Sequence, residues 1–177
     1  RDIAKKFNND FNCENFFPIV EPIIPKEIPR IMSLRDGKKK MSKSEESDYS
    51  RINLTDDKDL IVQKIKKAKT DNAPIPEDIN ELKKRPEALN LASIYSSIHD
   101  IKISKVLKEF GGKNFSTFKS KISESLIEKI CPIGEEVKKL QTDQKYLNQV
   151  LESGAKNADL IAKKNIKEIY DIIGLRK

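Results

Sequence analysis

From residue 58 to residue 173 the apolar side chains recur every three or four positions, the period of an α-helix laid against a core. That rhythm confines most of the chain to packed helices. The first runs over residues 58–69, capped by Asp56 or Asp57, with Leu60, Ile61, Ile65 and Ala68 facing inward. Lys58, Lys64, Lys66, Lys67 and Lys69 crowd its other face. Pro86 suits the first turn of a helix over 87–99. Ser104 is placed to cap a short helix that Gly111 and Gly112 end in a left-handed stop. Phe118, Ile122, Leu126, Ile130, Ile133, Val137 and Leu140 mark a long helix that Pro132 should kink or split. Leu147, Val150, Leu151, Ala158, Ile161, Ile169, Ile172 and Ile173 mark the last, with Gly154 as its weak spot.

Ahead of the helices the pattern differs. Residues 1–11 read as the end of an amphipathic helix with Ile3, Ala4 and Phe7 on one face. Pro18, Pro22 and Pro25 exclude a central ladder strand from the stretch that follows. Residues 30–34 are short and apolar enough for a buried parallel strand, the last of a nucleotide-binding sheet. The expected fold is therefore α/β: the C-terminal part of a nucleotide-binding domain over residues 1–54, then a mostly α-helical region over 55–177. The length admits one domain or two.

Directly behind the strand candidate, Lys38-Lys39-Lys40-Met41-Ser42-Lys43-Ser44 puts four lysines and two hydroxyls into one window, with Gly37 at its entry. Most lysine runs are only solvated surface. A mobile loop of this composition also suits a departing polyphosphate, because an ammonium on a long stem follows moving oxygens. Residues 40–44 match KMSKS, the second signature of class I aminoacyl-tRNA synthetases, and the string resembles that family without a mismatch. The flanks narrow the resemblance to bacterial-type tryptophanyl-tRNA synthetases. They are Pro29 to Leu34, Arg51 to Leu54, Lys64 to Asp71, Asn90 to Tyr95, Phe110 to Gly112 and Ile173 to Leu175.

The resemblance implies a Rossmann-type catalytic domain and an anticodon-binding helical region. It implies activation of L-tryptophan by ATP with Mg²⁺, transfer to tRNA(Trp), and a cytoplasmic enzyme that is a homodimer when full length. Lys40 and Lys43 would be the catalytic lysines that stabilise the triphosphate's charge. Ser42 and Ser44 would hydrogen-bond phosphates or steady the loop, and Met41 lies in the same ATP-binding segment. Ile31 is either an adenine contact or an ordinary core residue. The family often follows the signature with Asp-Pro, whereas Glu45-Glu46 stand here, so the loop's exit is expected to be less restrained. No His-x-Gly-His or Thr-x-Gly-Asn turn of the first signature occurs, so the chain reads as the C-terminal half, inactive alone. Alternatives are another class I synthetase such as the tyrosyl one, or a non-catalytic RNA-binding module.

Composition fits this picture without deciding it. A net charge of +7 favours a polyanion, and the resemblance makes that tRNA, with neither DNA nor a membrane as partner. The lysine face of 58–69 would track an RNA backbone or simply be solvated. Tyr146, Tyr170 and Arg176 are the available base-stacking groups. No apolar run spans a bilayer. Cys13 and Cys131 lack metal-ligand spacing, no metal site is expected, and His99 suits a cap or surface role.

Overall fold

The helical rhythm is realised as seven α-helices among the described residues, which are 1–24 and 30–175 of this computed structural model. They divide between two compact units, Pro25–Lys139 and Arg1–Ile24 with Leu140–Lys177. Pro25, Pro29 and Arg176, which figure in the sequence reading, lie outside the described residues.

In the larger unit, α2 (Lys58–Lys67) begins at Asp57, whose carboxylate accepts the Leu60 amide at 2.8 Å. Ile61, Ile65 and Ala68 are buried as the period requires. The end of α2 has an unusual cap: Lys119 donates to the carbonyl oxygens of Ala68 at 2.7 Å and Lys66 at 3.3 Å. Orphan carbonyls at a helix end favour a cation, while burial pulls the Lys119 ammonium below its ordinary pKa. Helix α3 (Ile79–Lys83) is capped by Asp78, and α4 (Pro86–His99) opens on Pro86 as expected. Helix α5 (Ile103–Phe110) starts one residue before Ser104, and the left-handed conformation that follows it falls on Gly112.

Helix α6 (Phe115–Thr142) runs through Pro132 unbroken. Its first half supplies Phe118, Ile122 and Leu126 to the core, where Tyr95, Phe110 and Phe118 rings meet with centroids 4.7–5.6 Å apart. Beyond them Cys131 and Gly134 are buried while Ile133 is exposed, so the stripe turns away from the expected one. Gly134 explains the change: a methyl group there would press into the Leu54 carbonyl oxygen, so the helix touches that segment backbone to backbone.

The smaller unit holds α1 (Asp2–Asp10) and α7 (Gln144–Ile173). Phe7 gathers Phe11, Phe16 and Phe17 at centroid distances of 4.8–5.7 Å, and Asn8 bonds both backbone groups of Phe17. Helix α7 carries the predicted apolar stripe but buries none of it; Leu151 and Ile161 are both exposed.

The α/β expectation is overturned. Among the described residues there is no strand and no Rossmann-type sheet, only an isolated antiparallel bridge between Met32 and Lys40. The backbone groups that a neighbouring strand would need are already engaged. Met32 N–H donates to the Asn90 side chain at 2.9 Å, which returns a bond to the Met32 carbonyl at 2.8 Å. Leu34 accepts from the Lys69 amide at 2.7 Å and donates to the Ser50 carbonyl at 2.8 Å. Residues 30–34 are apolar because they sit on a helical core, not because they belong to a sheet.

Two glycines in long helices therefore have opposite expected responses. Gly134→Ala should destabilise by about 1–3 kcal/mol, since the added carbon has only backbone to push against. Gly154→Ala, with nothing within 4 Å of the added carbon, should stabilise by about 0.5–1 kcal/mol. Urea unfolding of both variants checks the pair; equal effects would contradict the Leu54 contact.

Candidate functional site

The lysine loop is a hairpin-like excursion fastened at its entry. Met41 N–H donates to Ile31 at 3.1 Å and Ser33 N–H to Lys39 at 2.8 Å. At the tip, the Asp36 side chain and carbonyl accept the amides of Lys38 at 3.0 Å and Lys39 at 3.1 Å. Gly37 lies against the start of α4: a Cβ there would stand 2.5 Å from the Pro86 carbonyl carbon and 2.6 Å from the Glu87 nitrogen. Only glycine allows that approach. One turn into α4, the buried Asn90 amide grips Met32 and Ser33.

The signature residues follow. Ser42 and Ser44 hydroxyls pair at 2.8 Å, and the Ser44 amide donates to the Ser42 hydroxyl at 3.2 Å, giving a local turn. Ile31, Lys40, Met41, Ser42 and Lys43 come together with Arg30 along one side of an open cavity of about 840 Å³. Residues 51–55 form the other side. Ser44 is outside the lining and supports the turn. Lys40 and Lys43 are exposed, and among the described residues neither has a carboxylate at ion-pair distance. The cavity thus offers unneutralised ammonium groups beside an apolar floor of Ile31, Met41, Ile52 and Leu54.

Beyond the signature the chain enters a charge network that the sequence reading missed. The sequence reading puts Lys64 on the outward lysine face of 58–69, solvated or tracking RNA, yet its side chain is fully buried, 2.7 Å from Asp48 and 2.6 Å from Asp56. Asn53 adds its backbone amide to Asp56 at 2.9 Å and its side-chain amide to Asp48 at 3.0 Å. Arg51 joins at 3.0 Å from Asp48, so the network holds the short 3₁₀ turn Asp48–Ser50 against α2. The sequence did carry a signal. At 100° per residue, position 64 falls midway between Leu60 and Ala68, on the flank of the apolar stripe. A lysine there is buried, and a buried ammonium needs carboxylates. Asn90 likewise sits on an apolar helix, a polar side chain awaiting partners.

The sequence matches the family described as tRNA synthetases class I (W and Y) over residues 1–130. The chain belongs to that family. Among curated relatives, it is 46% identical over 193 residues to the tryptophan–tRNA ligase of Mesorhizobium japonicum, covering 99% of this chain and 54% of that one. It is also 46% identical over 174 residues to the Caulobacter vibrioides tryptophan–tRNA ligase, covering 98% and 51%. This synthetase chain spans about half the length of the curated relatives it matches. In fold it is similar to a tryptophanyl-tRNA synthetase from Mycoplasma pneumoniae, with a TM-score of 0.79 at 25% identity, covering 100% of this chain and 54% of that one. A Campylobacter jejuni tryptophanyl-tRNA synthetase, complexed with ADP and tryptophan, matches with a TM-score of 0.64 at 24% identity over 99% of this chain and 52% of that one.

Among the described residues no group of three or more His, Cys, Asp or Glu is arranged to hold a metal ion. No described helix is long and apolar enough to cross a membrane. His99 closes α4, its ring 4.4 Å from Tyr95 and its Nε2 2.8 Å from the Ser125 hydroxyl.

The network should make the loop exit acid-sensitive. The Lys64 ammonium, then the Asn53 amide, hold the Asp48 carboxyl below its ordinary value of 3.8. A carboxylate whose folded pKa is depressed stabilises the fold above its unfolded value, and that contribution is lost as pH falls through the folded one. Stability should therefore fall more steeply below pH 3.8 in the wild type than in Asp48→Asn. Denaturant titrations from neutral pH into that range check this; parallel curves would remove Asp48 from the network's energetics.

Proposed function

We propose that the polypeptide carrying this chain is a tryptophan–tRNA ligase, and that residues 40–44 close over ATP while tryptophanyl-adenylate forms. The observation that carries the reading is the convergence of Lys40, Ser42 and Lys43 on one open cavity beside Ile31, in a chain of this family. A tryptophan carboxylate oxygen attacks the α-phosphorus, the bond to the β-phosphate oxygen breaks, and pyrophosphate leaves with its electrons. Charge grows on the departing oxygens, and the two unneutralised ammoniums are suited to meet it.

Ile31 and Met41 supply an apolar surface for a base, and the Ser42 hydroxyl supplies a neutral donor near the phosphates. Mg²⁺ belongs with the triphosphate in such reactions; the described residues offer it no cage, so no step is assigned to it. We assign residues 55–177 to an anticodon-binding-type region for tRNA(Trp). The lysine face of α2 contributes less to that role than the sequence suggested. Lys64 is buried, Lys67 lies 4.3 Å over the Tyr49 ring and Lys69 pairs with Glu87 at 3.0 Å.

Tryptophan-dependent exchange of pyrophosphate into ATP by the complete polypeptide tests the assignment. Exchange driven by tyrosine and not tryptophan would overturn the substrate, and tRNA retention without any exchange would overturn the reaction. Lys43→Ala should slow single-turnover adenylate formation roughly a hundredfold, about 3 kcal/mol of transition-state stabilisation, with tryptophan affinity unchanged. An unaltered rate would make Lys43 surface charge only.

A further inference from the structure

The sequence led us to expect a slack exit from the lysine loop, because Glu45-Glu46 replace a stiffening proline. The geometry points to a different restraint: we propose that Arg51 is a positioning residue, a strap tying the loop's exit to the buried Lys64 network so that Lys43 is presented to the cavity. The inference rests on the reading of residues 40–44 given above.

Each nitrogen of the Arg51 guanidinium is engaged by protein. Nη1 donates to the Glu45 carbonyl at 2.9 Å and the Ser47 carbonyl at 3.5 Å, within three residues of Ser44. Nη2 lies 3.0 Å from Asp48 Oδ1, and Nε donates to Asn53 Oδ1 at 3.3 Å. Asp48 is in turn held by the fully buried Lys64, whose other partner is Asp56. A continuous path of charge-assisted bonds therefore runs from two loop carbonyls to a fixed point in the core. The Arg51 side chain is only 17% exposed although it borders the cavity. With its nitrogens spent on the loop and on Asp48, it is not a spare cation waiting for phosphate.

The strap needs arginine's shape as well as its charge. A planar guanidinium presents five N–H groups in a fixed fork and reaches two carbonyls, a carboxylate and an amide oxygen together. A lysine at the same position keeps the charge and loses the fork. That separates this role from a simple electrostatic one, in which lysine would serve nearly as well.

The test compares Arg51→Lys and Arg51→Ala with wild type in the complete polypeptide, by tryptophan-dependent pyrophosphate exchange and by amide hydrogen exchange of a peptide covering residues 44–47. Both variants should lower kcat on the order of ten- to a hundredfold, the scale of a misplaced reacting geometry, while KM for tryptophan stays put. Amides of 44–47 should exchange faster in both, with those of α4 unchanged. Arg51→Lys retaining the wild-type kcat would overturn the proposal in favour of charge alone. So would unchanged protection of 44–47, or a fall in kcat matched by general loss of protection. The hydrogen-exchange arm reads the strap without catalysis, so a wild-type polypeptide lacking exchange activity would count against the functional reading and leave this inference to its own measurement.

Discussion

An ammonium group removed from water is stable only where negative charge is fixed around it, and Lys64 imposes that condition on the larger unit. Its nitrogen lies between Asp48 and Asp56, both within 2.7 Å, with none of its side chain exposed. Meeting the condition orders the Asp48–Ser50 turn, the Asn53 side chain and the start of α2 together. Truncating one carboxylate partner of a buried pair costs about 3–5 kcal/mol, so the network is coupled to the stability of the fold. Residues 51–55, one wall of the cavity, hang from the same fixture. The helix pair α2 and α6 adds a second hold, through Lys119 on the end of α2 and Gly134 against Leu54.

The site has two kinds of residue. Lys40, Ser42 and Lys43, to which the proposed function gives the chemistry, are exposed or half-buried on a short loop. Asn90, Gly37 and Arg51 instead contact the loop's feet through hydrogen bonds and a close backbone approach. Loops that act on ligands are commonly held this way, mobile side chains on a frame fixed elsewhere. The signature alone picks out the first set, because the chemistry proposed for it requires those residue types. The second set varies with whatever surface the loop rests on, so no short motif announces it.

Legibility in the sequence follows the same division. Helices α2, α4 and α6 were readable from period and caps, because Asp57, Pro86 and the Phe118–Ile122–Leu126 stripe act locally. The strand over 30–34 was misread because apolar content records burial and not its partner; Asn90 and Lys69 occupy the backbone groups from positions far along the chain. Lys64 was misread by composition, since lysines are usually solvated, although its angular position between Leu60 and Ala68 puts it on the flank of the apolar stripe. The loop's composition was plain, but the cavity it borders depends on residues 51–55 folding back, which no local pattern encodes.

The clamp of Asn90 at one foot of the loop and of Arg51 at the other has an entropic consequence. Ordering backbone costs roughly 1–2 kcal/mol per residue at the moment it happens. Here hydrogen bonds hold the feet in place, which leaves only the residues between them to be ordered by any ligand the loop takes. On the proposed reading, closing such a loop on a ligand would cost little further ordering, in proportion to the length of its free span.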